Sequence, residues 1–150
     1  MDQASVRVAA SPERVWALVT DITRMGEWSP EATGGRWRDG SGPRLGARFV
    51  GNNRHGPIRW NTHCRVTECE PPSRFTFTVA ENRMAWGWLL APDGSGGTEL
   101  TQWREHLGPT PFLANLLVIS GLIGRDREHA MVDGMHRTLE AVRTTAERAT

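Results

Sequence analysis

Between residues 45 and 107 the chain alternates apolar and polar positions in successive short runs, and the apolar phase is rich in aromatic residues. Trp60, Thr62, Cys64 and Val66 share one parity, as do Phe75, Phe77 and Val79, and then Trp86, Trp88 and Leu90. A period of two sends alternate side chains to opposite faces, so these runs predict adjacent β-strands with one face turned inward. The pattern places strands at about 45–53, 58–69, 74–81, 84–91 and 97–107. Between them lie Arg54-His55-Gly56-Pro57, Pro71-Pro72, Glu81-Asn82-Arg83 and Asp93-Gly94-Ser95-Gly96-Gly97, all of turn-forming composition. Joints this short predict antiparallel hairpins, hence a meander.

The flanks read differently. Ser5 to Ala9 alternates and predicts a first strand. Ser11-Pro12-Glu13 is a helix start, because serine caps orphan amides and proline suits the first turn. Val15, Trp16, Leu18, Val19 and Ile22 give that helix an apolar stripe, and a second short helix is expected over about Asp21–Glu27, closing at Trp28-Ser29-Pro30. Gly34-Gly35 and Asp39-Gly40-Ser41-Gly42-Pro43 punctuate a strand around Arg36–Arg38. From about Arg125 to Arg148 the period becomes helical: Met131, Met135, Leu139, Val142 and Ala146 form one stripe. That helix would be about 35 Å long at about 1.5 Å per residue. Phe112 to Ile123 is the most apolar stretch, either a flap over a cavity mouth or a buried lead-in to the last helix. It falls short of the roughly 20 residues that span a bilayer.

Composition narrows the function classes. A chain of 150 residues without an internal linker predicts one domain, 1–150, with a substantial core. Seven tryptophans and no tyrosine imply a broad, flat aromatic wall that either fills a core or lines a pocket for a flat, greasy molecule. All 18 basic residues are arginine and the net charge is +1. Because the arginines are spread from Arg7 to Arg148 without a block, no nucleic-acid partner is expected. Cys64 and Cys69 have opposite parity, so no disulfide between them is expected, and the plain reading is a reduced, cytoplasmic compartment. Met1 to Ala10 has neither the basic head nor the apolar stretch of a signal peptide.

The chemistry-bearing motifs are few. His129 and His136 stand seven apart, but no third ligand has metal-site spacing and His-Glu-x-x-His is missing, so no metal is expected. The chain has no nucleophile elbow, P-loop or dinucleotide fingerprint, and no cofactor is expected.

The order strand, two helices, meander, long helix resembles the START-like (SRPBCC) superfamily, which includes the birch-pollen-allergen-like proteins. More narrowly, the chain resembles the bacterial polyketide cyclase/dehydrase and lipid-transport family. The likeness is carried by "VRVAASPERVWALVTDITRMGEWSP", by "LGARFVGNNRHGPIRW" with "CRVTECEPPSRFTFTV", and by "GGTELTQW" before the last helix. It implies an α+β helix-grip fold: a curved antiparallel sheet of about seven strands around a long C-terminal helix, with two short helices after the first strand. It further implies an elongated cavity between sheet and helix, with Trp28 at its rim. These are signatures of fold and hardly of chemistry.

Phase assigns the inward positions. The resemblance puts the parity of Phe49, Gly51 and Asn53 inside; Trp60, Thr62 and Cys64 follow, then Phe75 and Phe77, then Trp86 and Trp88. Met131 and Met135 face them from the last helix, with adaptable thioethers. The last strand leaves two phases open. One turns Leu100, Gln102, Arg104 and His106 inward; the other turns Thr101, Trp103, Glu105 and Leu107 inward. In the first phase Arg104 could stabilise an enolate and His106 could move a proton, which makes them the candidate catalytic pair. Against this, both stand near the strand end, where Arg104 could simply pair with a carboxylate.

Three functions are compatible with these features. The first is binding, with or without transport, of a hydrophobic aromatic or polycyclic small molecule. The second, implied by the resemblance, is a cyclase, dehydratase or aromatase acting on a polyketide-like substrate. The third is an interaction or co-chaperone-like module, which would have a filled core. The pattern specifies no oligomeric state.

Overall fold

The computed structural model describes residues 1–38, 42–108 and 121–148, with residues 121–132 as backbone alone. The alternating runs form the strands. β1 spans Asp2–Val8, β2 Ala32–Trp37, β3 Arg48–His55, β4 Ile58–Glu70, β5 Arg74–Val79, β6 Met84–Pro92 and β7 Thr98–His106. All neighbours are antiparallel, in the order β1-β7-β6-β5-β4-β3-β2, so the meander closes by pairing β7 with the first strand. The helices are α1, Pro12–Val19, and α2, Gly121–Arg148. Met135, Leu139, Val142 and Ala146 of α2 are buried, as their stripe requires. The architecture is the α+β helix-grip fold. Residues 112–120, the turn at 39–41, and the side chains of His129 and Met131 lie outside the described residues.

Local chemistry fixes the helical insert. The Ser11 hydroxyl accepts from the Arg14 amide at 3.2 Å and Pro12 opens α1. The second helix is a 3-10 helix, Ile22–Glu27, and not an α-helix; Asp21 caps it by accepting from the Thr23 amide at 3.1 Å. It is pressed against β2. A Cβ on Gly26 would stand 2.6 Å from the Thr33 carbonyl oxygen, so only glycine permits the approach.

The sheet departs from strict alternation in β2, where the register against β3 shifts between Ala32 and Gly34, and in β4. The register between β4 and β5 shifts between Val66 and Glu68, which is a bulge at Thr67. Because the extra residue reverses the phase, both Val66 and Cys69 pack with the core, and the expectation that the two cysteines face opposite sides is overturned. Both thiols are free. In β7, Leu100, Gln102 and Arg104 are buried while Glu105 is exposed, which settles the phase. Trp103 does not contradict it. Its indole lies on the outer face against Gly87, its register partner in β6, where a Cβ would collide with the ring.

The core is threaded by packed aromatics, edge-on in three contacts and tilted in the Phe75–Phe77 pair. Trp16 meets Phe75 with centroids 6.0 Å apart, Phe75 meets Phe77 at 6.1 Å, Phe77 meets Phe49 at 5.1 Å and Phe49 meets Trp37 at 5.4 Å. This chain of contacts runs from α1 across the sheet to β2.

Candidate functional site

The aromatic wall does not close on itself. Between the inner sheet face and α2 lies a cavity of about 330 Å³. Small-molecule sites run from roughly 300 to 1,000 Å³, so this is a modest one. Phe49, Gly51 and Asn53 of β3, Trp60, Thr62 and Cys64 of β4, and Phe77 and Val79 of β5 form one side. Trp86 and Trp88 of β6 and Gln102 of β7 continue it, and Gly134, Met135 and Thr138 of α2 face them. The link from the 3-10 helix into β2 supplies Met25, Trp28 and Glu31. Gly51 leaves room: a Cβ there would stand 2.8 Å from the Thr62 hydroxyl.

Four tryptophans therefore line the cavity. Trp28 and Trp88 are buried, while Trp60 and Trp86 keep part of their surface open. The Arg24 guanidinium lies over the Trp28 ring, 5.4 Å from its centroid, and pairs with Glu27 at 2.6 Å.

Among the polar side chains of the lining only the carboxylates of Glu31 and Glu81 are confined to accepting; the amides and hydroxyls can also donate. Gln102 is only 8 % exposed, and among the described residues its Oε1 has no hydrogen-bond partner. Asn53 Nδ2 donates to Thr62 Oγ1 at 3.2 Å and, more loosely, to the Gly51 carbonyl at 3.4 Å. Thr138 is satisfied within α2, donating to the Gly134 carbonyl at 2.8 Å. Glu31 and Glu81 are the ionisable carboxylates of the lining, and no arginine or histidine appears among its described residues.

Glu81 and Asn82 were not foreseen. Their stretch reads as a turn, and only the end of β5 at Val79 places the Glu81 carboxylate level with β4. There Oε1 accepts from the His63 backbone amide at 2.7 Å, and Oε2 bonds His63 Nδ1 at 2.7 Å. Partial burial opposes ionisation, but the His63 ring and backbone together outweigh it and hold the carboxyl below its ordinary range. A depressed carboxylate contributes stability above its unfolded pKa and loses it as pH falls through the lower folded value. Glu81→Gln should therefore flatten the acid limb of the stability curve below about pH 5, read as melting temperature against pH. A wild-type-like acid limb in the variant would count against the pairing.

The remaining sequence candidates separate. Arg104 is buried but not in the cavity lining: its Nε donates to Asp2 Oδ2 at 2.8 Å, and Nη2 reaches the same oxygen at 2.8 Å. Asp2 is its register partner on β1, so the buried guanidinium is held from the first strand. His106 is exposed at the end of β7. The structure does not bring these two together with the cavity. Phe75 is fully buried in the core, edge-on to Trp16, and also leaves the ligand-facing set. Cys64 faces the cavity, but burial pushes its thiol up to about 12, so it is a neutral group and no nucleophile at physiological pH. His63 faces outward and is exposed. Among the described residues no three His, Cys, Asp or Glu side chains converge as metal ligands. No described helix is long and apolar enough to cross a membrane.

A helix-grip sheet closing an apolar cavity against its last helix defines a START-like ligand-cavity architecture. The chain matches the family described as "Polyketide cyclase / dehydrase and lipid transport" over residues 3–147, and it belongs to that family. It is similar to the Polyketide_cyc-like protein Cgl2372 from Corynebacterium glutamicum, with 31% identity, TM-score 0.72, and 97% of this chain and 90% of that chain covered. TTHA0849 from Thermus thermophilus shares the fold at 19% identity and TM-score 0.70, covering 99% of this chain and 97% of that one. So does the di-domain ARO/CYC StfQ from the steffimycin biosynthetic pathway, at 17% identity and TM-score 0.68. This chain is covered to 99% there and spans 45% of StfQ. No functionally curated protein matches the sequence. The family description frames a ligand-binding or cyclase role in general terms.

Proposed function

We propose that the protein binds, and can carry, a flat hydrophobic aromatic molecule of roughly two or three fused rings. One observation carries this reading: a cavity walled by Trp28, Trp60, Trp86 and Trp88 that holds a buried, unpartnered amide oxygen on Gln102. Aromatic faces gain from stacking against flat rings. A buried acceptor without a donor costs about 1–3 kcal/mol, which a hydroxyl on the ligand recovers once the Gln102 amide turns its oxygen to the cavity. The cavity also argues against the interaction-module reading, which requires a filled core.

The acceptors set the ligand's polarity. Gln102 Oε1 and two carboxylates welcome a hydroxyl or amine and oppose a carboxylate ligand. Titrating tryptophan fluorescence with 2-naphthol, naphthalene and 2-naphthoate checks this. We expect saturable quenching, with naphthol about three- to tenfold tighter than naphthalene and naphthoate weakest. Absence of saturation with all three would remove the binding reading.

The ARO/CYC likeness supports a second reading, a cyclase-type enzyme acting on a polyketide-like substrate. Such chemistry needs a proton acceptor facing the cavity, and Glu81, a carboxylate of the lining, has both oxygens engaged by the outward-facing His63. Its hydrogen bonds stabilise the ionised form and weaken it as a base. The geometry therefore favours binding over proton transfer.

A further inference from the structure

The fold gathers arginines that the sequence spreads out. Arg36, Arg48, Arg54, Arg59 and Arg65 are all exposed on β2, β3 and β4, at the parity opposite to Trp37, Phe49, Asn53, Trp60 and Cys64. Arg38 follows β2 directly, its amide donating to the Arg48 carbonyl at 2.9 Å. Within the sheet Arg48 stands directly opposite Arg65, and Arg54 directly opposite Arg59. Like charges facing each other across a ladder are destabilising.

Neighbouring acids do little to relieve them. Glu68 is engaged by Thr76 and Arg74, Glu81 by His63, and Glu31 stands 3.8 Å from His55. Among the described residues, none of Arg36, Arg38, Arg48, Arg59 and Arg65 forms an ion pair with a carboxylate. Arg54 Nε donates to the Gly56 carbonyl at 2.9 Å and retains its charge.

The arrangement of this face selects among anionic partners. Protein interfaces concentrate apolar and aromatic residues at the centre and charge at the rim. Here the order is inverted. Arginine pairs stand towards both ends of β3–β4, with Asn52, Asn61, the His63–Glu81 pair and the buried Val50 between them and Arg36 alongside, and two large exposed aliphatics stand beyond the ends. Ile58, at the tip of the β3–β4 hairpin and on the parity of Trp60, is 62% exposed, and Leu45, in the turn before β3, is 69% exposed. A sheet of negative headgroups over hydrocarbon matches a charged field with apolar tips at its margins.

We propose that the outer face of β2–β4 docks onto the surface of an anionic lipid membrane. Asn53 borders both the outer groove beside Arg54 and Arg59 and the cavity, so docking sets that end of the cavity beside the lipid. The proposal stands on the charge and exposure of this face and does not require that the cavity be filled.

The test is flotation of the full chain with vesicles of pure phosphatidylcholine and with vesicles about one-third phosphatidylglycerol. Wild type is expected to float only with the anionic vesicles, and to be released at about 0.5 M salt. Arg48→Glu/Arg59→Glu should lose vesicle affinity at least about tenfold, with a melting temperature no lower than wild type because each opposed like-charge pair becomes an opposite-charge pair. Arg137→Glu/Arg148→Glu, the same charge change on exposed positions of α2, should bind nearly as well as wild type. The proposal is overturned if wild type ignores anionic vesicles, or if both double variants lose binding equally. It is also overturned if duplex DNA displaces the protein from the vesicles at equal phosphate, which would make the face a nucleic-acid site.

Discussion

Phe49→Ala should lower stability by about 3–5 kcal/mol and the melting temperature by roughly 10 °C. Phe49 has no exposed surface and meets two rings edge-on, Trp37 at 5.4 Å and Phe77 at 5.1 Å. Truncation removes both contacts at once, and the neighbours are strand residues held in register that cannot collapse into the gap. Phe49 also borders the cavity, so the void joins a space already present. The variant should therefore accept bulkier aromatic ligands than wild type while melting earlier. Thermal unfolding and the naphthalene titrations measure the two effects separately. A change below about 1 kcal/mol would mean that the aromatic row is not the core's main support.

Gln102→Leu should act in the opposite sense on the fold. Removing a buried acceptor that has no donor should stabilise the empty protein by about 1–3 kcal/mol. The same change should abolish the preference for 2-naphthol over naphthalene, since the hydroxyl then meets an apolar wall. Higher melting temperature together with lost discrimination is a signature that a merely structural glutamine would not give. Were Gln102→Leu to destabilise the protein, the amide would have to be satisfied in the ligand-free fold.

Much of the architecture was legible because burial here follows a period of two. Trp60, Thr62 and Cys64, and Trp86 with Trp88, share a face because alternate residues on one strand must. The Ser11-Pro12 start was equally readable, since capping is local chemistry. What escaped depended on pairing between distant segments. Arg104 has the inward parity of Gln102, yet its role is decided by Asp2, which only the β1–β7 register brings opposite. The bulge at Thr67 that turns Cys69 into the core has no unmistakable residue signal. Trp103 looks like a core residue, and only its partner Gly87 explains an outward indole. Glu81 joined the cavity because β5 ends two residues before it. The arginines follow the same logic: scattered along the chain, they converge where three strands lie side by side.

Native mass spectrometry of the full chain incubated with 2-naphthol tests the central claim, that the tryptophan-lined cavity is a binding site for a flat aromatic molecule. The account predicts a one-to-one complex that survives excess 2-naphthoate and weakens in Gln102→Leu. Free protein alone, or a ladder of multiple adducts unchanged in that variant, would contradict it.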